Sequence, residues 1–314
     1  MLTAAVSAPT VCNVEPVRVS PPRRLIVEAG RAAWWDRTSL VVCHVGGSAV
    51  LLEAPSQVHL VADHERGLVP DGALLPELVD FTAFREAAIL ALGSQRPLDL
   101  TTWTGIHPAR VTRRSLGLTA LIPSPQAVQA LADCLVHADA PPAAGINPAP
   151  LRRLAPVLAH AARSGQHERD PHPLNGLLLR LVGAGPGATP TGDDVLVGML
   201  AGFHALAGSG ADPGAAPAAE AIAREVTPLV HRTAAASGQE LRAAAEGRFC
   251  SRVQHLVAGA CDPVLAARAA AAAAHWGATS GIDLLHGLVA ALAESPILTP
   301  HTLAANPLLE RRSA

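Results

Sequence analysis

Lysine and tyrosine are missing from this chain; its 24 basic side chains, counted as Lys plus Arg, are all arginines. Their absence removes a Schiff-base lysine, a P-loop lysine and a catalytic tyrosine together. Aromatic residues are scarce, at 3%. Acids and bases nearly balance at a net charge of −2, with no long basic run, so the chain lacks a nucleic-acid footprint and no nucleic-acid partner is expected. The five cysteines (Cys12, Cys43, Cys134, Cys250, Cys261) are odd in number and scattered, without a C-x-x-C. They read as reduced thiols in a cytoplasmic protein, not as a disulfide framework. No uninterrupted apolar stretch reaches membrane-span length, so no membrane partner is expected. The N-terminus has prolines throughout and its basic residues late, the reverse of a signal peptide. Fourteen histidines make neither H-E-x-x-H nor an i, i+4 pair, so spacing gives no zinc site.

Nearly half of the 314 residues are apolar, enough for a sizeable core. Residues 1–24 look like a loose arm rich in Pro, Val and Ser. Residues 25–125 look β-rich. There "SLVVCHVG", "SAVLLEAP" and "QVHLVAD" are short β-branched runs, and the first two read as a hairpin turning at Gly46-Gly47. "FTAFREAAILALG" reads as a helix. Residues 126–314 read as helical, with apolar residues at helical spacing: Val128, Leu131, Leu135 and Val136 in one segment, Val195, Met199, Phe203 and Leu206 in another. The expected class is α+β, a β-rich N-terminal part packed on a mainly α-helical C-terminal part.

The helical part holds "GAGPGATPTGDD", Gly183 to Asp194. Gly183, Gly185 and Gly187 permit positive φ and close backbone approach. Successive amides ahead of a helix start favour an anion, so Gly183, Gly185, Gly187, Thr189, Thr191 and Gly192 form a candidate anion cradle. Thr191 with Asp194 fits a capping box in which Asp replaces Glu. Asp193 and Asp194 read either as caps stabilised by the helix dipole or as ligands of a site. The length of the run, with four glycines and two threonines beside the two acids, favours a site. A Walker loop needs a lysine, and a dinucleotide fold needs a preceding strand where "PLNGLLLRLV" looks helical. No nucleotide cofactor is expected.

The grammar recurs in "TSGIDLLHGLVAAL". At one constant spacing Thr191 aligns with Ser280, Gly192 with Gly281, Asp194 with Asp283 and Gly198 with Gly287. Thr279, Ser280 and Gly281 thereby join the anion candidates, and Asp283 joins the acids. A glycine inside a helix costs roughly 1 kcal/mol relative to Ala, so Gly198 and Gly287 suggest a close crossing that brings both helix starts together. An equally open alternative is a good helix start used twice. His231 and Arg232, with Thr233 and Ser237 after them, are candidates for reaching an anionic substrate. His107 with Arg110 is a weaker candidate, and Arg180 is a possible cation beside the loop.

The segments "GAGPGATPTGDDVLVGMLAG", "HRTAAASGQELRAAAEGR" and "GATSGIDLLHGLVAAL" resemble the AllH-type family of oxamate carbamoyltransferase subunits, over about Val41 to Leu292. Thr191 stands where serine is usual in that family, and Ala184 and Ala188 where larger apolar residues are common. The resemblance implies a cytoplasmic transferase subunit of allantoin degradation and purine catabolism, moving a carbamoyl group between an oxalurate-like ureido acid and phosphate. Implied partners are the substrate, phosphate or carbamoyl phosphate, an FdrA-like subunit and other subunits of a multi-subunit complex. Asp193, Asp194, Asp283 and His231 would be catalytic; Asp194 with Asp283 could hold Mg2+ against phosphate, or one carboxylate could orient the ureido nitrogen. The alternatives are a non-catalytic binding or scaffold subunit, and a stand-alone metal-dependent enzyme acting on another ureide or amide.

Overall fold

The computed structural model describes residues 25–28, 40–47, 49–54, 57–62, 68–74, 81–94, 111–114, 116–138, 147–164 and 172–298. The expected arm and the turn holding His107 and Arg110 lie outside them. β2 (Val41–Val45) and β3 (Ala49–Ala54) pair antiparallel, and the Gly46 amide donates to the Ala49 carbonyl at 2.8 Å, closing the expected hairpin. β3 alternates as a half-buried strand should, with Val50 and Leu52 fully buried and Glu53 exposed. β4 (Gln57–Ala62) extends the meander. β5 (Ala73–Leu74) joins β4 in parallel, β1 (Leu25–Glu28) runs antiparallel to β5, and β6 (Val111–Arg114) closes the sheet parallel to β1. The strand order is β2-β3-β4-β5-β1-β6. α1 (Phe81–Ser94) covers β2 and β3 and buries Phe84 and Ala88. "Β-rich" therefore overstates this part. Its strands are two to six residues long, and most of the described chain is helix.

The helical part consists of α2 (Pro125–Ala138), α3 (Ala149–Arg152), α4 (Leu154–Arg163), α5 (His172–Leu181), α6 (Thr191–Ser209), α7 (Ala215–Val226), a 3-10 turn (Thr227–Arg232), α8 (Ala235–Ala245), α9 (Ser251–Gly259), α10 (Pro263–Ala273) and α11 (Ser280–Ala293). α2 buries Val128, Leu131 and Leu135, but Val136 is 51% exposed and lies off the stripe. On α6 the expected face of Val195, Met199, Phe203 and Leu206 is buried, and so is every other residue from Thr191 to Phe203. α11 is likewise buried from Gly281 to Leu292. Helices apolar on all sides belong in the middle of a core, and these two form its axis.

The two parts meet along residues 248–251. The Phe249 amide donates to the Leu116 carbonyl at 2.8 Å and the Ser251 amide to the Leu68 carbonyl at 2.9 Å, while Arg248 reaches Asp71 at 3.4 Å. The four described cysteines are free thiols. Among the described residues no helix is long and apolar enough to cross a membrane.

Candidate functional site

α6 and α11 run side by side in the same direction. A Cβ added to Gly198 would collide with the Leu284 carbonyl oxygen, and one added to Gly287 would collide with the Val195 carbonyl oxygen. These contacts are reciprocal: Gly198 and Gly287 are counterparts in the repeated motif, and so are Val195 and Leu284. The helices are thus related by an approximate two-fold axis through the crossing, the way identical surfaces meet in a symmetric pair. Each helix also needs a glycine at its second position. Gly192 lies against the Leu181 backbone and Gly281 against the Ala273 backbone, where no side chain fits.

Parallel packing brings both helix starts to one end. There the Thr189 and Ser280 hydroxyls bond each other at 2.9 Å, tying the glycine loop to the other helix. Neither start is capped by a side chain: Pro190 is the cap residue of α6 and Thr279 of α11, and neither accepts a cap bond. The expected Thr191–Asp194 capping box is not formed, because Thr191 is already the first helical residue. The acids therefore have other work.

Asp193 fastens the loop. One carboxylate oxygen accepts from the Gly183 amide at 2.8 Å; the other accepts from the Ser237 hydroxyl at 2.6 Å and from the Thr233 hydroxyl. With both oxygens engaged and the side chain buried, it is a structural clamp in this conformation. Thr233 and Ser237, expected to reach a substrate, are spent on it. The second copy has no such clamp, since Ile282 occupies the position equivalent to Asp193.

Asp194 and Asp283 differ from Asp193. Each is at least 96% buried, 4% and 0% exposed respectively, and each has its Oδ2 sealed from solvent without a hydrogen-bond partner. Ser280 hydrogen-bonds the Asp194 carboxyl. Arg152 donates from Nε to Asp283 Oδ1 at 2.6 Å, and both residues are buried. Burial holds the Asp194 carboxyl well above the ordinary carboxylate range. Glu240 on α8 adds to the rise, the Ser280 bond opposes it, and Asp283 and Asp193 add further. Carboxyl oxygens left unpaired in a core are costly and call for a reason.

The glycine loop divides into used and free donors. The amides of Gly183, Gly192 and Gly281 are occupied, by Asp193, by the Ala184 carbonyl at 2.9 Å and by the Trp276 carbonyl at 3.1 Å. The amides of Gly185, Gly187 and Thr189 make no bond among the described residues. Gly185 and Gly187 have φ of 117° and 97°, and residues 186–188 are exposed. The cradle is therefore a short, open edge made by the middle of the loop.

Other expected residues fall elsewhere. His231 is exposed and its Nδ1 lies 2.8 Å from the Pro228 carbonyl of its own turn. The turn itself matters, because a Cβ on Gly183 would sit 2.5 Å from the Arg232 carbonyl oxygen. Arg180 is exposed on α5, and the cation bonded to Asp283 is Arg152, which spacing alone does not single out. Among the described residues no group of three or more His, Cys, Asp or Glu side chains is placed to hold a metal ion; Asp194 and Asp283 stand as a pair of carboxyls.

The model of a family described as "Oxamate carbamoyltransferase subunit AllH" matches residues 181–292. The match begins at the end of α5, ends within α11 and takes in both helix starts, the loop and Asp193, Asp194 and Asp283; it is shorter than the resemblance over about Val41 to Leu292. No curated protein and no solved structure matches the chain.

Proposed function

We propose that the chain is a subunit of an oxamate carbamoyltransferase-like enzyme and that its working site is the converging starts of α6 and α11. The observation that carries this reading is the pair Asp194 and Asp283, buried with unpaired oxygens beside a loop with free amides, inside the segment that the family model matches. Folding alone gives no return for two unpaired carboxyl oxygens, and a site that must meet a polar ligand does.

The chemistry fits the groups available. A phosphate oxygen attacks the carbamoyl carbon of a ureido acid, an oxyanion forms, and the bond to the departing amide nitrogen breaks as that nitrogen takes a proton. Backbone amides stabilise both the oxyanion and the phosphate in such a step, and the free amides of Gly185, Gly187 and Thr189 supply that edge. Arg152 keeps Asp283 fixed. A magnesium ion, where one takes part, would be held by Asp194 and Asp283 with the phosphate and would supply charge neutralisation there. An FdrA-like subunit, other subunits and carbamoyl phosphate as product belong to the same proposal.

The test is turnover of the reconstituted complex with Asp194→Asn in this chain. A loss of about 100-fold or more is expected, the usual scale for a group acting on a developing charge. Full activity would place the chemistry on a partner subunit and leave this chain a scaffold.

A further inference from the structure

We propose that Asp194 Oδ2 and Asp283 Oδ2 together receive the N–H donors of a carbamoyl nitrogen, so that the ligand enters with its –NH2 end between the two helices and its anionic end toward the glycine loop. This rests on the reading above and adds the orientation of the ligand and the residues that select it.

The argument starts from what each end of the site lacks. At the helix starts the unmet groups are oxygens, one on Asp194 and one on Asp283, both sealed from solvent. Acids outnumber bases there. Asp193, Glu240 and Asp283 act on Asp194, and Arg152 is bonded to Asp283. An anionic group entering at this point would meet like charge, while a group with hydrogens on nitrogen meets acceptors. On the exposed loop the unmet groups are amide donors, at Gly185, Gly187 and Thr189, which suit an anion. Thr189 bonds Ser280, and Ser280 bonds Asp194, so the two ends are linked by a short hydroxyl chain. A small acid carrying a terminal –NH2 meets both demands; one ending in methyl leaves the buried oxygens unpaired.

A metal ion held by the two carboxyls with water is one competing occupant, and the EDTA and Mg2+ arms of the experiment separate it. A buried water is the other. It would satisfy the oxygens without selecting any ligand.

The experiment uses two probes of nearly one shape, N-carbamoylglycine and N-acetylglycine, titrated calorimetrically into the full chain with EDTA present. The wild type is expected to bind the carbamoyl probe roughly 10- to 100-fold more tightly, the scale set by leaving buried acceptors unpaired. Asp194→Asn and Asp194→Ala are both expected to bring that ratio to within about threefold of one, with thermal unfolding run alongside to verify that each variant is folded. Because the readout is a ratio of two ligands on one protein, a general loss of affinity does not imitate it. Equal binding of both probes by the wild type, binding of neither, a preference that appears only with added Mg2+, or a preference retained in both variants overturns the proposal. Any of these can occur while Asp194→Asn still abolishes turnover, so the orientation can fail without the proposed activity failing with it.

Discussion

Three carboxylates stand within the first turns of two helices, and their surroundings give them different tasks. Asp193 has three donors and serves the backbone. Asp283 has a guanidinium. Asp194 has one hydroxyl and is crowded by acids, and that sets a pH signature for stability. A carboxyl whose folded pKa is raised binds its proton more tightly in the folded state. Its stabilising effect is complete below the ordinary carboxylate range and is lost as pH rises from that range through the folded value. Asp194→Asn removes the loss. The variant should match the wild type in melting temperature near pH 4 and exceed it at pH 8, the gap opening between. A melting-temperature difference that is flat from pH 4 to pH 8 would sink this account. Taken with the turnover test, the outcome expected is a variant that is dead and sturdier, the usual relation between a strained site and the fold around it.

At the scale of elements, the informative residues are those without side chains. The backbones of α6 and α11 touch at Gly198 and Gly287, and the collision that a Cβ would cause is with a carbonyl oxygen, which cannot rotate away. Gly198→Ala and Gly287→Ala should each destabilise by about 3 kcal/mol, at the upper end of overpacking costs, measured by chemical denaturation. The double variant should cost less than twice that, because the first alanine already separates the helices for the second. Additive losses would mean that the two contacts are independent and the crossing is not one unit. This part of the fold was legible beforehand, since a glycine in a helix interior is costly and two in equivalent register need a common reason. Helix ends were less so. Thr191 reads as a cap from its spacing to Asp194, yet Pro190 takes the cap position and leaves Thr191 inside the helix. Val136 reads as core and is exposed, because four positions at nearly the right spacing do not say where the buried stripe ends.

At the scale of the molecule, the segment matched by the family model packs against helices that lie outside it. α11 packs against α2, α3 and α4, all of which precede residue 181. Arg152, the partner of Asp283, is also outside the matched segment. A fragment of residues 181–292 should therefore show no cooperative thermal transition, whereas residues 116–298 should unfold cooperatively. Cooperative melting of the shorter fragment would show that the earlier helices are dispensable. The same distance explains why Arg152 is unreadable from sequence. It sits in "LRRL" beside the exposed Arg153, and its acid is 131 residues away. Adjacent arginines look alike until the fold decides which one turns inward. The glycine loop, by contrast, is read from its own residues, because positive φ and close approach are local demands.

The approximate two-fold relation of α6 and α11 has a consequence for any molecule that settles between their starts. Perfect symmetry would offer an unsymmetrical guest two poses of equal energy, related by a half-turn, and only one of them could be productive. Here the two copies have been made unequal. Ile282 is the counterpart of Asp193, and Arg152 bonds Asp283, the counterpart of Asp194. The duplicated scaffold supplies the rigid walls, and the unmatched residues give it a left and a right.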